Sequence, residues 1–318
     1  MRIAFTSCFC TQVFKQQPVW DEIAAENPDV LVLLGDSIYL DVGGQYNSLG
    51  VQNLSEMEFA QHAHDRYKEL LAQKQFRALV QRPSLTTYAI WDDHDFLWND
   101  ACGADAMKSP VQRPLIYPSR AVFAAYRQAL SRRLGSRSFP SAPPPWDANT
   151  PPPGYSMVAL GANVFLHLSD GRSFRKGRGK KAMLGMEQLD AMQAQMAAAP
   201  VGATHLVASG SVFDANSGES WLNCVPEYER MQGLAKVHNI LILSGDIHDN
   251  NLASYSLDGG RNLFEATASG AAVKTAVVFG ALQRNFGMLN IDDSNVEIRL
   301  SKSGATQYSG AIDRSAWK

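Results

Sequence analysis

Apolar residues in this chain come in short unbroken blocks, each stopping at a polar loop. Val30-Leu31-Val32-Leu33-Leu34 runs into Gly35-Asp36, Thr86-Thr87-Tyr88-Ala89-Ile90 into Trp91-Asp92, and Ile240-Leu241-Ile242-Leu243 into Ser244-Gly245-Asp246. Such runs, ended by Gly, Asp or Ser, read as buried strands that stop at loops. Residues 2–7 read as a first strand and 15–25 as a short amphipathic helix. With a strand at 29–34 they predict a βαβ unit with parallel strands. Over 55–80, Phe59, Ala63, Tyr67, Leu70, Leu71 and Phe76 recur at helical spacing and lead into the third strand. Ser119 is placed to cap a helix reaching about Leu134, with Val122, Phe123, Tyr126 and Leu130 on one face.

Seven prolines between Ser138 and Pro153 rule out regular helix or central strand there. The stretch reads as an extended surface insert, around 138–154, in a single domain spanning 1–318 with two pseudo-halves. Beyond it the pattern predicts a strand pair at 155–169 and a helix at 185–198. Strands at 204–209 and 239–244 then flank a helix near 226–237. After His248 the segments 251–257, 262–267, 286–291 and 295–300 read as successive antiparallel strands. Parallel βα units followed by a meander imply an α/β fold with a mixed sheet or two packed sheets. No internal repeat is visible.

Composition narrows the function. Basic and acidic side chains nearly cancel, 29 against 31, for a net charge of −2, so no bulk attraction to nucleic acid or anionic membrane is expected. No apolar segment approaches the ~20 residues of a transmembrane helix. The first residues carry one Arg and too short an apolar run for a signal peptide. The four cysteines, at 8, 10, 102 and 224, do not suggest a disulfide framework. A reduced, cytoplasmic setting is expected, with Cys8 available as a thiolate.

The chemistry lies in the loops that end the strands. In open α/β sheets, ligands bind beyond the carboxyl ends of the strands. Gly35-Asp36-Ser37-Ile38-Tyr39 offers a carboxylate able to bridge two cations and a phenol that ionises only beside a strongly charged one. Its bland alternative is an Asx turn with a core Tyr. Asp92-Asp93-His94-Asp95 gathers three acids around an imidazole, an arrangement that repels itself unless a cation or hydrogen bonds stabilise it. The alternative is a solvated acidic turn. Asp246 and His248, two apart, share a side in extended geometry and can reach one metal pair; the alternative is a turn with a surface His. Cys8 ends the first strand and is either another ligand or simply buried. Arg172, after Asp170-Gly171, can grip a phosphate or pair with Asp170. Lys176, Arg178, Lys180 and Lys181 form a basic run, either a solvated loop or an aid to an anionic substrate. His62 and His64 point apart on a helix. His167, His205 and His238 read as packing or surface residues. No Walker loop, nucleophile elbow or zinc-finger spacing is present.

In this order the residues resemble the alkaline-phosphatase-D-like (PhoD-like) branch of the calcineurin-like metallophosphatases, from about Ile3 to Leu300. Besides the three loops, His94-Asp95-Phe96 with Asn99-Asp100-Ala101, Ser169-Asp170-Gly171-Arg172 with Leu184-Gly185 and Gln188, and Glu219-Ser220-Trp221 with Pro226-Glu227 and Arg230 carry the likeness. The resemblance implies a four-layer α/β/β/α sandwich of two packed mixed sheets, with a two-metal site at one sheet end. It departs from the wider superfamily as that branch does: Cys8 stands for an Asp-x-His, Asp93 for the Asn of Gly-Asn-His, and Asp246 for a His of Gly-His-x-His. The implied activity is hydrolysis of a small phosphoester, mono- or diester, by a metal-activated hydroxide. Asp36 would bridge the cations. Cys8, Tyr39 and His248 would hold Fe(III), while Asp93 and Asp246 would serve Ca, Mg, Mn or Zn. His94 would protonate the leaving group, Asn99 and Arg172 would contact phosphate, and Asp92 or Asp95 would orient a ligand from behind. The alternatives are a metal-dependent nuclease and a non-catalytic metal-holding module.

Overall fold

The structure, a computed structural model, describes residues 1–43, 47–135, 138–177, 179, 181–215 and 217–318. In the first sheet, β1 (Arg2–Phe9), β2 (Val30–Leu34) and β3 (Thr86–Ile90) run parallel. In the second, β4 (Ser156–Gly161) is antiparallel to β5 (Val164–Leu168), which begins a parallel set with β6 (Thr204–Ser209) and β7 (Asn239–Ser244). β8 (Asn250–Ser256) lies antiparallel to β9 (Asn262–Ala272), which in turn runs parallel to β7. β10 (Lys274–Ala276) and β11 (Phe279–Leu282) pair with one another. The chain then returns to the first sheet, where β12 (Asn285–Ile291), β13 (Asn295–Lys302) and β14 (Ala305–Asp313) extend it from β1, all antiparallel.

Why the strand sequences are apolar throughout is plain from their two faces. Val30, Val32 and Leu34 of β2 join Leu166, Leu206, Leu241 and Leu243 in the core between the sheets. Leu31 and Leu33 point the other way, onto Trp20, Phe59, Tyr67, Phe76 and Val122 of the helices Val19–Ala25, Glu56–Ala72, Lys74–Val80 and Arg113–Ser131. Val207, Ile240 and Ile242 likewise face the helices Met186–Ala198 and Val225–Ala235. A strand buried on both faces cannot alternate with polar residues. The result is a four-layer α/β/β/α sandwich. Its sheets are joined where the end of β1 pairs with β9, at Ser7↔Ser269 and Phe9↔Ala272.

Several elements differ from the sequence expectation. The helix expected to begin at Ser119 begins at Arg113 with Pro114 in its first turn, where a missing N–H costs nothing. Ser119 is buried inside it, donating to the Phe96 carbonyl at 2.6 Å. The helix expected over 15–25 starts only after Pro18. The single helix expected over 55–80 breaks at Gln73, whose extended backbone ends one segment while its side chain caps the next. The strand expected at 262–267 is antiparallel only to β8; it continues to Ala272 and is parallel to β7 and β1. The strand at 305–313 escaped because nearly all its side chains are exposed and carry no apolar pattern. Residues 138–153 carry no helix or strand, and Trp146 of that segment donates to Glu56 at 3.3 Å. Among the described residues no helix is long and apolar enough to cross a membrane.

His167 and His205 are both buried, not at the surface. They share a hydrogen bond of 3.0 Å, and His167 also meets the Tyr155 hydroxyl at 2.7 Å. Burial and then neighbouring imidazoles depress them, to about 3 for His167 and about 4 for His205. The unfolded chain, with imidazoles near 6.5, therefore binds more protons in acid. Stability from this pair is intact above about pH 6.5 and declines below it, by up to about 1.4 kcal/mol per pH unit for each ring. Urea midpoints for wild type and His205→Gln should accordingly diverge between pH 7 and pH 5, with the variant less acid-sensitive.

Candidate metal centre

Every loop named from the sequence lies at the carboxyl end of a parallel strand, and these ends meet at the β1–β9 joint. Cys8 ends β1, Asp36 and Tyr39 follow β2, Asp92 to Asp95 follow β3, and Asp246 and His248 follow β7. Four of these residues sit in left-handed backbone: Cys8 (φ 61°), Asp36 (φ 50°), Asp246 (φ 75°) and His248 (φ 54°). Non-glycine residues there are uncommon and mark positions that the surroundings force. Gly35, with φ 101°, lets the β2 loop pass against Asp92: a Cβ on it would lie 2.5 Å from the Asp92 Cβ.

Asp36 is the hub. Its Oδ2 lies 3.3 Å from the Cys8 thiol and 3.5 Å from the Tyr39 hydroxyl, which in turn meets His248 Nε2 at 3.2 Å. Ligand atoms of Cys8, Asp36 and His248 fall within 4.8 Å of one another, and so do those of Asp36, Asp93 and His94. Asp36 belongs to both groups. A third group of the same span joins Asp92, Asp93 and Glu219. Asp246 is in none of these groups, although its carboxyl feels the charges of Asp92, Asp93 and Glu219.

The supporting contacts are dense. Asp93 accepts from the backbone N–H of His94 at 3.0 Å and of Asp100 at 2.7 Å. His94 Nδ1 meets Asp41 at 2.5 Å, and its ring packs against Tyr39 at a tilt of 35°, with centroids 4.3 Å apart. Asp41 also accepts from the N–H of Asn99 at 2.9 Å. Asp95 accepts from Ser37 N at 3.0 Å, Ile38 N at 3.2 Å, Tyr67 Oη at 3.0 Å and Asp92 N at 3.0 Å, locking the two loops together. Neither Asp41 nor Glu219 was singled out from sequence. Asp41 lies just past Tyr39 with no spacing that marks it, and Glu219 was noticed only as part of the familial likeness.

Arg172 differs from expectation. It was expected at the phosphate, but it is fully buried, with its guanidinium donating to Asp92, to both Glu219 oxygens and to the Ala101 carbonyl. Its Nη2 also stands 3.7 Å from Asp93. Asp170 does not receive this guanidinium; it accepts the Trp91 indole at 2.7 Å and the N–H of Ser173 at 2.9 Å. Asn99 is exposed at the rim, its side chain donating to Asp100 at 2.8 Å. Of the basic run, Arg178 and Lys180 lie outside the described residues.

Electrostatics shows what the site lacks. Burial, then the charges of Cys8 and Asp93, lift Asp36 well above the usual carboxylate range. Burial likewise raises Asp246 well above that range, Asp95 to about 7, and Asp92 to about 6 even beside Arg172. Burial would raise Asp93 too, but Arg172 and then His94 outweigh it and hold it low. Burial disfavours the charged imidazole of His94, yet Asp93 and Asp41 lift it to about 9. Asp36 Oδ1 and Asp92 Oδ2 are buried with no hydrogen-bond partner. Orphaned carboxylate oxygens beside a thiol, a phenol and two imidazoles fit metal cations, which would supply the missing positive charge.

A family model for PhoD-like phosphatases matches residues 3–309. The chain belongs to that family. It is thus a phosphoric ester hydrolase by descent, built on the metallophosphatase sandwich. Among solved structures it resembles PhoD, with a TM-score of 0.69 at 17% identity over 99% of this chain and 70% of that one. It also resembles a dimetal phosphatase from Danio rerio, with a TM-score of 0.54 at 9% identity over 99% of both chains. At such identities the two likenesses speak to the fold. No curated protein sequence matches the chain.

Proposed function

We propose that this PhoD-like protein hydrolyses a small phosphoester, mono- or diester, at a centre holding two cations on either side of Asp36. The observation that carries this reading is that Asp36 lies within ligand reach of Cys8 and His248 on one side and of the Asp93 carboxylate on the other, with one oxygen left unpaired. Cys8, Tyr39 and His248 form a set with two potentially anionic donors, thiolate and phenolate, which suits a softer or higher-valent metal, Fe(III) first among them. Asp93, with Asp246 approaching from the end of β7, forms the harder set, suited to Ca, Mg, Mn or Zn. When bound, such cations acidify water and neutralise charge on the transferring phosphoryl group.

The chain's own residues do the rest. Asp41 fixes Nδ1 of His94, so Nε2 is the atom left to donate a proton to the departing alkoxide. Asp95 ties the Asp36 loop to the Asp93 loop and keeps the shared carboxylates in place. Arg172 serves as a buried counter-charge that keeps Asp93 ionised, and phosphate contact falls to the exposed rim at Asn99.

His94→Ala should keep the bound metal and lose turnover by about 10²–10⁴-fold, the usual contribution of a positioned acid. The loss should be smaller for aryl phosphates with good leaving groups than for alkyl ones. Metal analysis with a leaving-group series checks both, and an equal loss across the series sinks the acid role. Assay of a monoester and diester panel then fixes the ester class.

A further inference from the structure

Positive charge gathers at the end of the second sheet that lies away from the candidate centre. A cavity of about 380 Å³ opens there beside the first residues of β6 and β7, about 20 Å along the strands from Asp246 and His248. Arg261, Arg314, His205 and His238 line it, each brought by a different segment, and no acidic residue is among its described lining. Both guanidinium groups are held by neutral acceptors. Arg314 donates to the Thr204 hydroxyl at 3.2 Å and to the carbonyls of Ala162 and Asp292, while Arg261 donates to the Ala235 carbonyl at 3.5 Å and to the Asn239 amide oxygen. Neither takes part in an ion pair among the described residues. The Asp292 carboxyl feels Arg314 but accepts from the N–H groups of Ser294 at 2.8 Å and Asn295 at 2.7 Å. The helices Met186–Ala198 and Val225–Ala235 both end at this cavity, and each end carries about half a negative charge. Together they offset one arginine of the two.

The imidazoles add donors to this charge. Tyr155 Oη meets His167 Nδ1 at 2.7 Å, and His167 Nε2 meets His205 Nδ1 at 3.0 Å. A phenol is the stronger acid and an imidazole the stronger base, so the hydrogens run from Tyr155 through His167 and leave the His205 hydrogen on Nε2. His205 is 1% exposed, and the described residues offer that N–H no acceptor. His238 lies edge-on to it, with ring centroids 5.6 Å apart and no side-chain hydrogen bond of its own among the described residues. After burial, Arg261 is what pushes His238 below its ordinary value, as expected where no anion balances the cations. We propose that this cavity binds the phosphate group of a small ligand. Two guanidinium forks, a buried N–H and a titratable imidazole converging from four segments suit tetrahedral phosphate oxygens better than a planar carboxylate. Met196 and Val237, also in the lining, leave space for a short organic group. The site lies apart from Asp36 and its neighbours and does not depend on the phosphoesterase reading.

The test titrates zinc-loaded full-length protein with phenylphosphonate, which resists hydrolysis, and separately with inorganic phosphate. Ring signals of His205 and His238 are followed by NMR, so that binding here is read apart from binding at the metal centre. In wild type both signals should move together along one saturable curve. Arg261→Gln should weaken that curve about tenfold, the scale of one charge-assisted hydrogen bond. Val201→Glu gives a second variant that leaves the packing alone, since Val201 is a fully exposed lining residue. Its added carboxylate at the mouth should weaken binding about two- to fivefold by repulsion, at an unchanged melting temperature. Tighter binding of phenylphosphonate than of inorganic phosphate would assign the site to an organic phosphate, and the reverse order to free phosphate; either upholds it. Ring signals that stay still in wild type, or wild-type affinity in either variant, overturn the inference.

Discussion

Asp36→Asn is expected to strip the protein of bound metal and to lower aryl phosphate turnover by about 10³-fold or more, since the cations provide both charge neutralisation and the nucleophile. The change is nearly isosteric, so packing around the 2%-exposed side chain is preserved. What is lost is the carboxylate that the Cys8–His248 group shares with the Asp93–His94 group. The variant has a second, opposite signature. Without cations the wild-type carboxyl is a buried acid surrounded by Cys8, Asp93, Asp92 and Asp95, all of which raise it. Replacing it by a neutral amide relieves that repulsion. Chelator should therefore lower the melting temperature of wild type and leave Asp36→Asn nearly unmoved. In chelator the variant should melt higher, by about 1.5 °C for each kcal/mol relieved, because the unfolding entropy grows with chain length. Full metal occupancy and turnover in Asp36→Asn would remove the basis of the proposed centre.

Arg172→Gln should be the most destabilising single change near the site. The guanidinium is fully buried and answers to Asp92, Asp93 and Glu219 at once. Removing one partner of a buried ion pair typically costs about 3–5 kcal/mol, because the surviving charge is left without compensation. The loss should depend on pH. Without the arginine the buried carboxyls have folded pKa values above their unfolded ones, so stability is retained in acid and lost as pH rises. Urea midpoints should thus fall further below wild type at pH 8 than at pH 5. Arg172→Lys should recover only part of the loss, since one ammonium cannot donate along both edges to Asp92 and Glu219. A wild-type urea midpoint for Arg172→Gln at pH 8 would refute this account of the network.

The strands were legible because both faces of β2 and β7 are buried, which leaves an unbroken apolar run in the sequence. Loops bearing Asp36, Asp93 and His248 were legible for a related reason: acids and imidazoles directly after a buried strand have few bland uses. Partners far along the chain were not. Asp41 matters because it lies 2.5 Å from His94, and Glu219 because it holds Arg172, contacts that span 53 and 47 residues. Nothing local announces either. Arg172 illustrates the same limit from the other side, for its residue type told that an anion would be near, whereas only burial tells that the anions are the protein's own. Helix boundaries at Pro114 and Gln73 were lost to ordinary local competition between cap, proline and periodicity.

Left-handed backbone at Cys8, Asp36, Asp246 and His248 bears on how this protein can change over time. Asp and Asn tolerate that conformation better than most side chains, and branched residues such as Val or Ile scarcely tolerate it at all. Mutational drift at these four places is therefore filtered twice, once by chemistry and once by chain geometry. Asp–Asn exchange is the step that passes the second filter at 36 and 246. A lineage that gave up catalysis could keep its shape by that route, which makes an amide at either place the mark to look for in a descendant that binds without reacting.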